Sequence, residues 1–293
     1  MLFNSPELCY TEANILIRGG SSMGNRNKRI VVKVGTSTLT HASGSVNLRS
    51  MERLVRVLAD LQSMGYELIL VSSGAIAVGT AKLALRERPS ELRMKQAAAA
   101  VGQCQMMHIY DKLFSEYSHS VAQILLTDKD VEQPERAEHL SNTFEALLQM
   151  GVIPIVNEND SVSSAEIETG QHKVLGDNDT LSAIVAKLCQ ADLLVLLSDI
   201  DGLYDCDPRT HTGAQLLHHV TSLTPEILHM AGGAGSWRGT GGMATKLSAA
   251  KLCMDAGLEM VITNGAQPER LYDIIDGAEV GTRFLAAKKE ARV

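Results

Sequence analysis

Three glycines and a lysine fall within Gly239-Thr240-Gly241-Gly242-Met243-Ala244-Thr245-Lys246, and an apolar helical pattern begins at Leu247. Glycine lets backbone N–H groups come close to an anion, and the start of a helix offers unpaired donors at the positive end of its dipole. With the ammonium of Lys246 added, the segment suits a polyphosphate. Its spacing is neither that of the P-loop nor that of the GxGxxG dinucleotide loop. Taken alone, it could equally be a glycine-rich surface loop.

Further segments carry polar groups at the ends of apolar runs. Lys33 lies among valines in Val31-Val32-Lys33-Val34, and Gly35, Thr36 and Ser37 follow with backbone and hydroxyl donors. Burying an ammonium costs several kcal/mol unless it is paired. Lys33 therefore either meets an anion at the strand's end or sits on an edge strand and reaches water along its own stem. Val71-Ser72-Ser73-Gly74-Ala75-Ile76 offers hydroxyls and a turn, but Val71 stands where a GxSxG nucleophile elbow needs glycine. Asn157-Glu158-Asn159-Asp160-Ser161 and Gly176-Asp177-Asn178-Asp179-Thr180 are dense in carboxamides and carboxylates. Such groups could hold an ammonium, a metal or a lysine. Helix capping would employ one of residues 177–179 and leave the other two unexplained.

Leu197-Ser198-Asp199-Ile200-Asp201-Gly202 ends the most apolar run. Its Asp-x-Asp-Gly looks like the nucleophile motif of haloacid-dehalogenase phosphatases. That motif continues with Thr or Val, whereas Leu203 stands here, and it normally opens its chain. The calcium EF-hand template also fails at Leu203. A loop that holds nucleotide and metal is the remaining reading.

These segments are far apart in the chain, so a scaffold must bring them to one place. Residues 29–34, 67–72, 121–126, 152–157, 193–198 and 259–263 read as strands. Residues 48–63, 95–117, 139–150, 179–189 and 245–256 read as helices, the last stopped by Gly257. Strands this apolar suit a parallel sheet covered on both faces, and the alternation implies right-handed βαβ units. The expected fold is α/β, a three-layer αβα sandwich with a mainly parallel central sheet. In such sheets ligands bind beyond the carboxyl ends of the strands, where the polar segments fall. Residues 165–175, around Thr169-Gly170-Gln171, read as a protruding hairpin.

Composition narrows the classes further. The 293 residues carry a net charge of −7, which argues against a general nucleic-acid surface but not against a local phosphate site. Aromatics are few, which favours helices packed on a sheet. Five cysteines without a CxxC pair read as reduced thiols in a reducing compartment. Nine histidines without HExxH argue against zinc. No apolar run approaches the ~20 residues of a membrane span. Residues 1–28 show no signal-peptide pattern, and Glu7 and Glu12 argue against a transit peptide. They are expected to form a flexible extension ahead of one domain at 29–293.

Taken in order, Lys33-Val34-Gly35-Thr36-Ser37, Ser73-Gly74-Ala75-Ile76, Asn157-Glu158-Asn159-Asp160, Gly176-Asp177-Asn178-Asp179 and Gly241-Gly242-Met243-Ala244-Thr245-Lys246 resemble the amino acid kinase family. The resemblance runs over about residues 29–284. Its Ser-Gly-Ala-Ile and Asn-Glu-Asn-Asp segments are most similar to the branch acting on glutamate, rather than on acetylglutamate, aspartate, UMP or carbamate. The resemblance implies phosphoryl transfer from ATP, accompanied by Mg²⁺, to the side-chain carboxylate of L-glutamate. The product would be the acyl phosphate that begins proline synthesis. A carboxylate nucleophile is already ionised at neutral pH and needs no general base, in keeping with the lack of a Ser–His or Cys–His signature.

By the same resemblance, Lys33 stabilises the moving phosphoryl group, Lys246 acts on the nucleotide side and Asp179 orients both lysines. Ser73, Asp160 and Asn178 are glutamate positions, with Asn157 and Asp177 lining the same pocket. Lys33, Ser198, Asp199 and the run Thr240, Gly241, Gly242, Met243, Ala244, Thr245 and Lys246 are nucleotide contacts, and no residue is assigned as a metal ligand. The family further implies a cytoplasmic homodimer or tetramer, inhibited by proline and without membrane or nucleic-acid partners. Many members carry a C-terminal PUA domain, and none is expected here. The alternatives are an acetylglutamate kinase-like member, a dehalogenase-type phosphatase with Asp199 as nucleophile, and a catalytically dead sensor of glutamate or proline.

Overall fold

A computed structural model of the chain describes residues 28–162, 177–230 and 242–285. The expected extension up to residue 27, the hairpin at 165–175, Gly176, and Gly239, Thr240 and Gly241 lie outside the described residues. The elements begin with β1 (Arg29–Val34), α1 (Thr36–Leu39), α2 (Leu48–Ser63), β2 (Glu67–Val71), α3 (Ala75–Lys82) and α4 (Leu92–Ser115). They continue with β3 (Val121–Leu126), α5 (Asp128–Glu132), α6 (Pro134–Gln149), β4 (Ile153–Glu158), α7 (Asn178–Leu188) and β5 (Leu193–Ser198). The last are β6 (His219–Val220), α8 (Pro225–Met230), α9 (Met243–Ala256), β7 (Glu259–Asn264), α10 (Arg270–Ile275) and β8 (Thr282–Phe284).

The strands form one sheet in the order β3-β4-β2-β1-β5-β7-β8-β6. Pairing is parallel from β3 through β7, and β8 then runs antiparallel to β7. Successive side chains alternate between faces, so each strand contributes to two cores. Ile30, Val32, Leu70, Ile155 and Val195 pack against Met51 and Leu54 of α2 and Tyr110 and Phe114 of α4. Val31, Val71, Val156, Leu196 and Ile262 pack against Phe144 of α6, Val185 of α7 and Leu247 of α9. The molecule is the expected three-layer αβα sandwich. Helix α2 shows why the pattern was readable: Asn47 caps it by accepting from the Ser50 N–H at 3.1 Å, and Met51, Leu54, Val55, Leu58 and Leu61 line its buried stripe.

The differences from the sequence reading have local causes. Helix α6 begins at Pro134 rather than 139, with proline at the first helical position, where its missing N–H is harmless. Helix α4 likewise begins earlier, at Leu92. Strands β6 and β8 were not anticipated, being too short to show an alternation. Nor was α3, whose interior Gly79 weakens its helical signature. Among the described residues no helix is long and apolar enough to cross a membrane.

Gly79 has a packing reason. A Cβ there would stand 1.7 Å from the Ala98 carbonyl oxygen, and one at Gly102 would stand 1.8 Å from that of Ala75. The backbones of α3 and α4 therefore touch, which fixes the loop ahead of α3 to the helix beside it. On an open helix Gly102→Ala would be favourable by roughly 1 kcal/mol. Here the forced separation should outweigh that gain, at about 1–3 kcal/mol of net destabilisation. We expect a lower urea midpoint for Gly102→Ala, and a midpoint equal to or above the parent's would contradict the contact.

Candidate active site

Lys33 lies on a central strand, since β1 pairs with β2 on one side and β5 on the other. The edge-strand explanation of this lysine therefore falls. It shares the alternation of Val31, so it faces the layer that holds α7 and α9. Its Nζ stands 2.6 Å from Asp179 Oδ1, and Lys246 Nζ stands 3.2 Å from Asp179 Oδ2. The Thr245 hydroxyl donates to Asp179 Oδ2 at 2.9 Å. Asp179 is 2% exposed and the two lysines 8% each.

One carboxylate thus holds two ammonium groups, leaving a net positive charge where the sheet opens. Burial alone would raise the Asp179 pKa, but Lys33 and Lys246 outweigh that and hold the carboxyl below the usual carboxylate range. The surplus ammonium charge suits an anion.

A cleft of about 910 Å³ opens above this group, along the carboxyl ends of β1, β2, β4 and β5. The three polar residues at the start of α7 divide their tasks. Asp177 is the cap, accepting from the Asp179 and Thr180 N–H groups at 2.8 and 2.9 Å. Asn178 reaches across the sheet ends: its amide nitrogen lies 2.7 Å from Ser72 O, 2.9 Å from Ser73 Oγ and 3.1 Å from Asn157 Oδ1. Asp179 lies between the lysines. Capping thus accounts for one of the three.

Ser73 donates to the Val34 carbonyl at 2.9 Å, which ties the β2 loop to β1. Asn157 donates to Gln103 Oε1 of α4 at 3.0 Å. Asp160 and Asp177 line the cleft on this side. On the other side of β1, Ser198 and Asp199 line the cleft at the end of β5, and the Ser198 hydroxyl donates to Asp199 at 3.1 Å. Gly242 is the N-cap of α9, and Met243, Ala244, Thr245 and Lys246 form its first turn. Thr240 and Gly241 lie outside the described residues.

The sequence-derived residues that the structure describes therefore come to one cleft or its rim. Missed were Gln103, which bonds Asn157 at the end of β4, and Arg88 and Lys95, which line the cleft. Gln103 had a signal, being a polar residue on the buried stripe of Ala99 and Met106. Among the described residues no group of three or more His, Cys, Asp and Glu side chains could hold a metal ion.

The chain is similar to known proteins along most of its length. A sequence profile of the amino acid kinase family matches residues 28–264. The glutamate 5-kinase of Clostridium perfringens is 56% identical over 264 residues, covering 90% of this chain and 97% of that one. The glutamate 5-kinase of Listeria innocua is 53% identical, covering 90% and 95%. In three dimensions the carbamate kinase of Giardia lamblia, solved bound to AMP-PNP, matches with a TM-score of 0.60 at 15% identity, over 89% of this chain and 99% of that one.

Removing the central charge should strand two buried ammonium groups. Asp179→Asn is expected to destabilise the fold by roughly 3–5 kcal/mol, as breaking buried pairs does. Because the folded carboxyl titrates below its unfolded value, its contribution is fully present above about pH 4 and is lost as pH falls through the folded pKa. The stability gap between parent and variant should hold constant from about pH 5 to 7 and narrow toward strong acid. A gap that widens in acid during denaturant titrations would refute the pairing.

Proposed function

The chain belongs to the amino acid kinase family, and we propose that it transfers the γ-phosphoryl group of ATP to the side-chain carboxylate of L-glutamate. The observation that carries this reading is the Lys33–Asp179–Lys246 group at the junction of two unlike half-clefts. Ser73, Asn157, Asp160, Asp177 and Asn178 stand on the β2–β4 side, with carboxylates and amides suited to a zwitterionic amino acid. Ser198, Asp199 and the start of α9 stand on the β5 side, suited to a nucleotide and its phosphates.

A carboxylate oxygen of glutamate attacks the γ-phosphorus in line. The new P–O bond forms as the bond to the β,γ-bridging oxygen breaks, and ADP leaves. No proton has to move, because the nucleophile is already ionised. Lys33 and Lys246 meet the charge on the transferring group, and Asp179 holds both ammonium groups in place. The product is the acyl phosphate from which proline synthesis starts.

Mg²⁺ would accompany ATP and supply screening of its phosphate charge. Mg²⁺ demands oxygen ligands and keeps several waters, so it would be held mainly by phosphate and water oxygens. Proline has the α-carboxylate and amine of glutamate without its side-chain carboxylate, so it would compete on the β2–β4 side. The dehalogenase-type alternative has no support from a family match over residues 28–264. The family's habit supports a cytoplasmic homo-oligomer.

The decisive assay is hydroxamate formation with ATP, Mg²⁺ and hydroxylamine. Hydroxamate should appear with L-glutamate and not with L-aspartate or N-acetylglutamate; no product with glutamate would overturn the reading. Lys246→Ala should lose about a hundredfold or more in kcat while glutamate still binds. Turnover retained at the parent rate would remove Lys246 from the reaction. Asp160→Ala should raise the KM for glutamate with a smaller effect on kcat, and an unchanged KM would exclude it from the pocket.

A further inference from the structure

Four cationic side chains line the cleft among the described residues: Lys33, Lys246, Arg88 and Lys95. The first two are committed to Asp179. Lys95 stands in the first turn of α4, a helix of 24 residues, and is half-buried at the cleft wall. Its ammonium has no hydrogen-bond or ion-pair partner among the described residues. A cation in the first turn opposes the helix dipole, and α4 has no acidic residue there to offset it. The helix dipole therefore slightly disfavours a lysine at this position.

The helix geometry says where it points. Residues 95, 99 and 103 lie on one face at successive turns. Ala99 and Gln103 are buried, and Gln103 holds Asn157 on the acceptor side. Lys95 thus extends the face that builds that half of the cleft. Arg88, by contrast, is exposed in the connection between α3 and α4.

Glutamate brings two carboxylates and one ammonium. Its side-chain carboxylate is taken by the phosphoryl centre, and the acidic groups on the β2–β4 side suit its ammonium. The α-carboxylate still needs a cation in the same half-cleft. We propose that Lys95 binds the α-carboxylate of the acceptor and so makes the site select substrates that carry one. The inference rests on the proposed reaction.

The test compares L-glutamate with L-isoglutamine, which keeps the amine and the side-chain carboxylate but carries a neutral α-carboxamide. In the parent enzyme hydroxamate formation should favour glutamate in kcat/KM. Lys95→Met should raise the KM for glutamate by about 10- to 100-fold, as loss of one charge-assisted hydrogen bond does, with kcat nearly kept. Its kcat/KM for isoglutamine should stay at the parent value, so that the preference collapses. Lys95→Arg should restore most of the preference.

An unchanged glutamate KM in Lys95→Met would overturn the assignment while leaving the kinase reading intact. Equal losses on both substrates would show a merely structural role and overturn it too. Collapse of the preference in Arg88→Ala but not in Lys95→Met would move the contact to Arg88. Absence of hydroxamate in the parent enzyme would remove both the reading and this inference.

Discussion

One carboxylate between two ammonium groups governs the rest of this structure. Asp179 needs both lysines, because an ionised carboxylate at 2% exposure is costly alone. The lysines need Asp179 for the same reason, yet one charge cannot balance two. In the proposed reaction the surplus would be satisfied when a phosphoryl group bearing negative charge arrives between them. A site built this way would bind the charge of the transferring group more strongly than it is satisfied at rest, which is the differential binding that catalysis requires. The lysines come from β1 and α9 and the aspartate from α7, so all three elements must hold their positions for the group to exist.

The sheet order supplies those positions. With β1 between β2 and β5, anything at its carboxyl end has one neighbour of each kind on either side. Asn178 stitches the β2 and β4 ends to the start of α7, while the Gly35 N–H donates to Leu197 O at 3.3 Å and joins β1 to β5. At the opposite end of β1 the buried Arg29 guanidinium bonds Glu67, Glu145 and the Cys189 carbonyl. The strand that carries Lys33 is thus held at both ends.

Much of this could be read from the chain because some residues contradict their own surroundings. A lysine among valines and three polar residues where one cap suffices were each costly without a partner, and each proved to have one. The strands of the central sheet were legible for a related reason: burial on both faces leaves runs too apolar for a loop. Besides the two short strands β6 and β8, what escaped lies on helices α3 and α4 and the connection between them. Gln103 meets Asn157 across 54 positions of sequence, and no local spacing announces such a contact. Lys95 stands at the cleft only because its helix packs beside it, which no local pattern announces. Gly79, which weakens the helical signature of α3, lets two backbones touch.

The shared aspartate has a thermodynamic consequence. Lys33 and Lys246 pair with the two oxygens of one carboxylate, so any ligand that draws one ammonium toward itself alters how firmly Asp179 holds the other. Occupancy of the β2–β4 half and of the β5 half are then linked through a single side chain. Linkage is reciprocal, so whatever factor the acceptor imposes on nucleotide affinity, the nucleotide returns to the acceptor. On the proposed reading the two half-clefts would be coupled without any movement of the sheet between them.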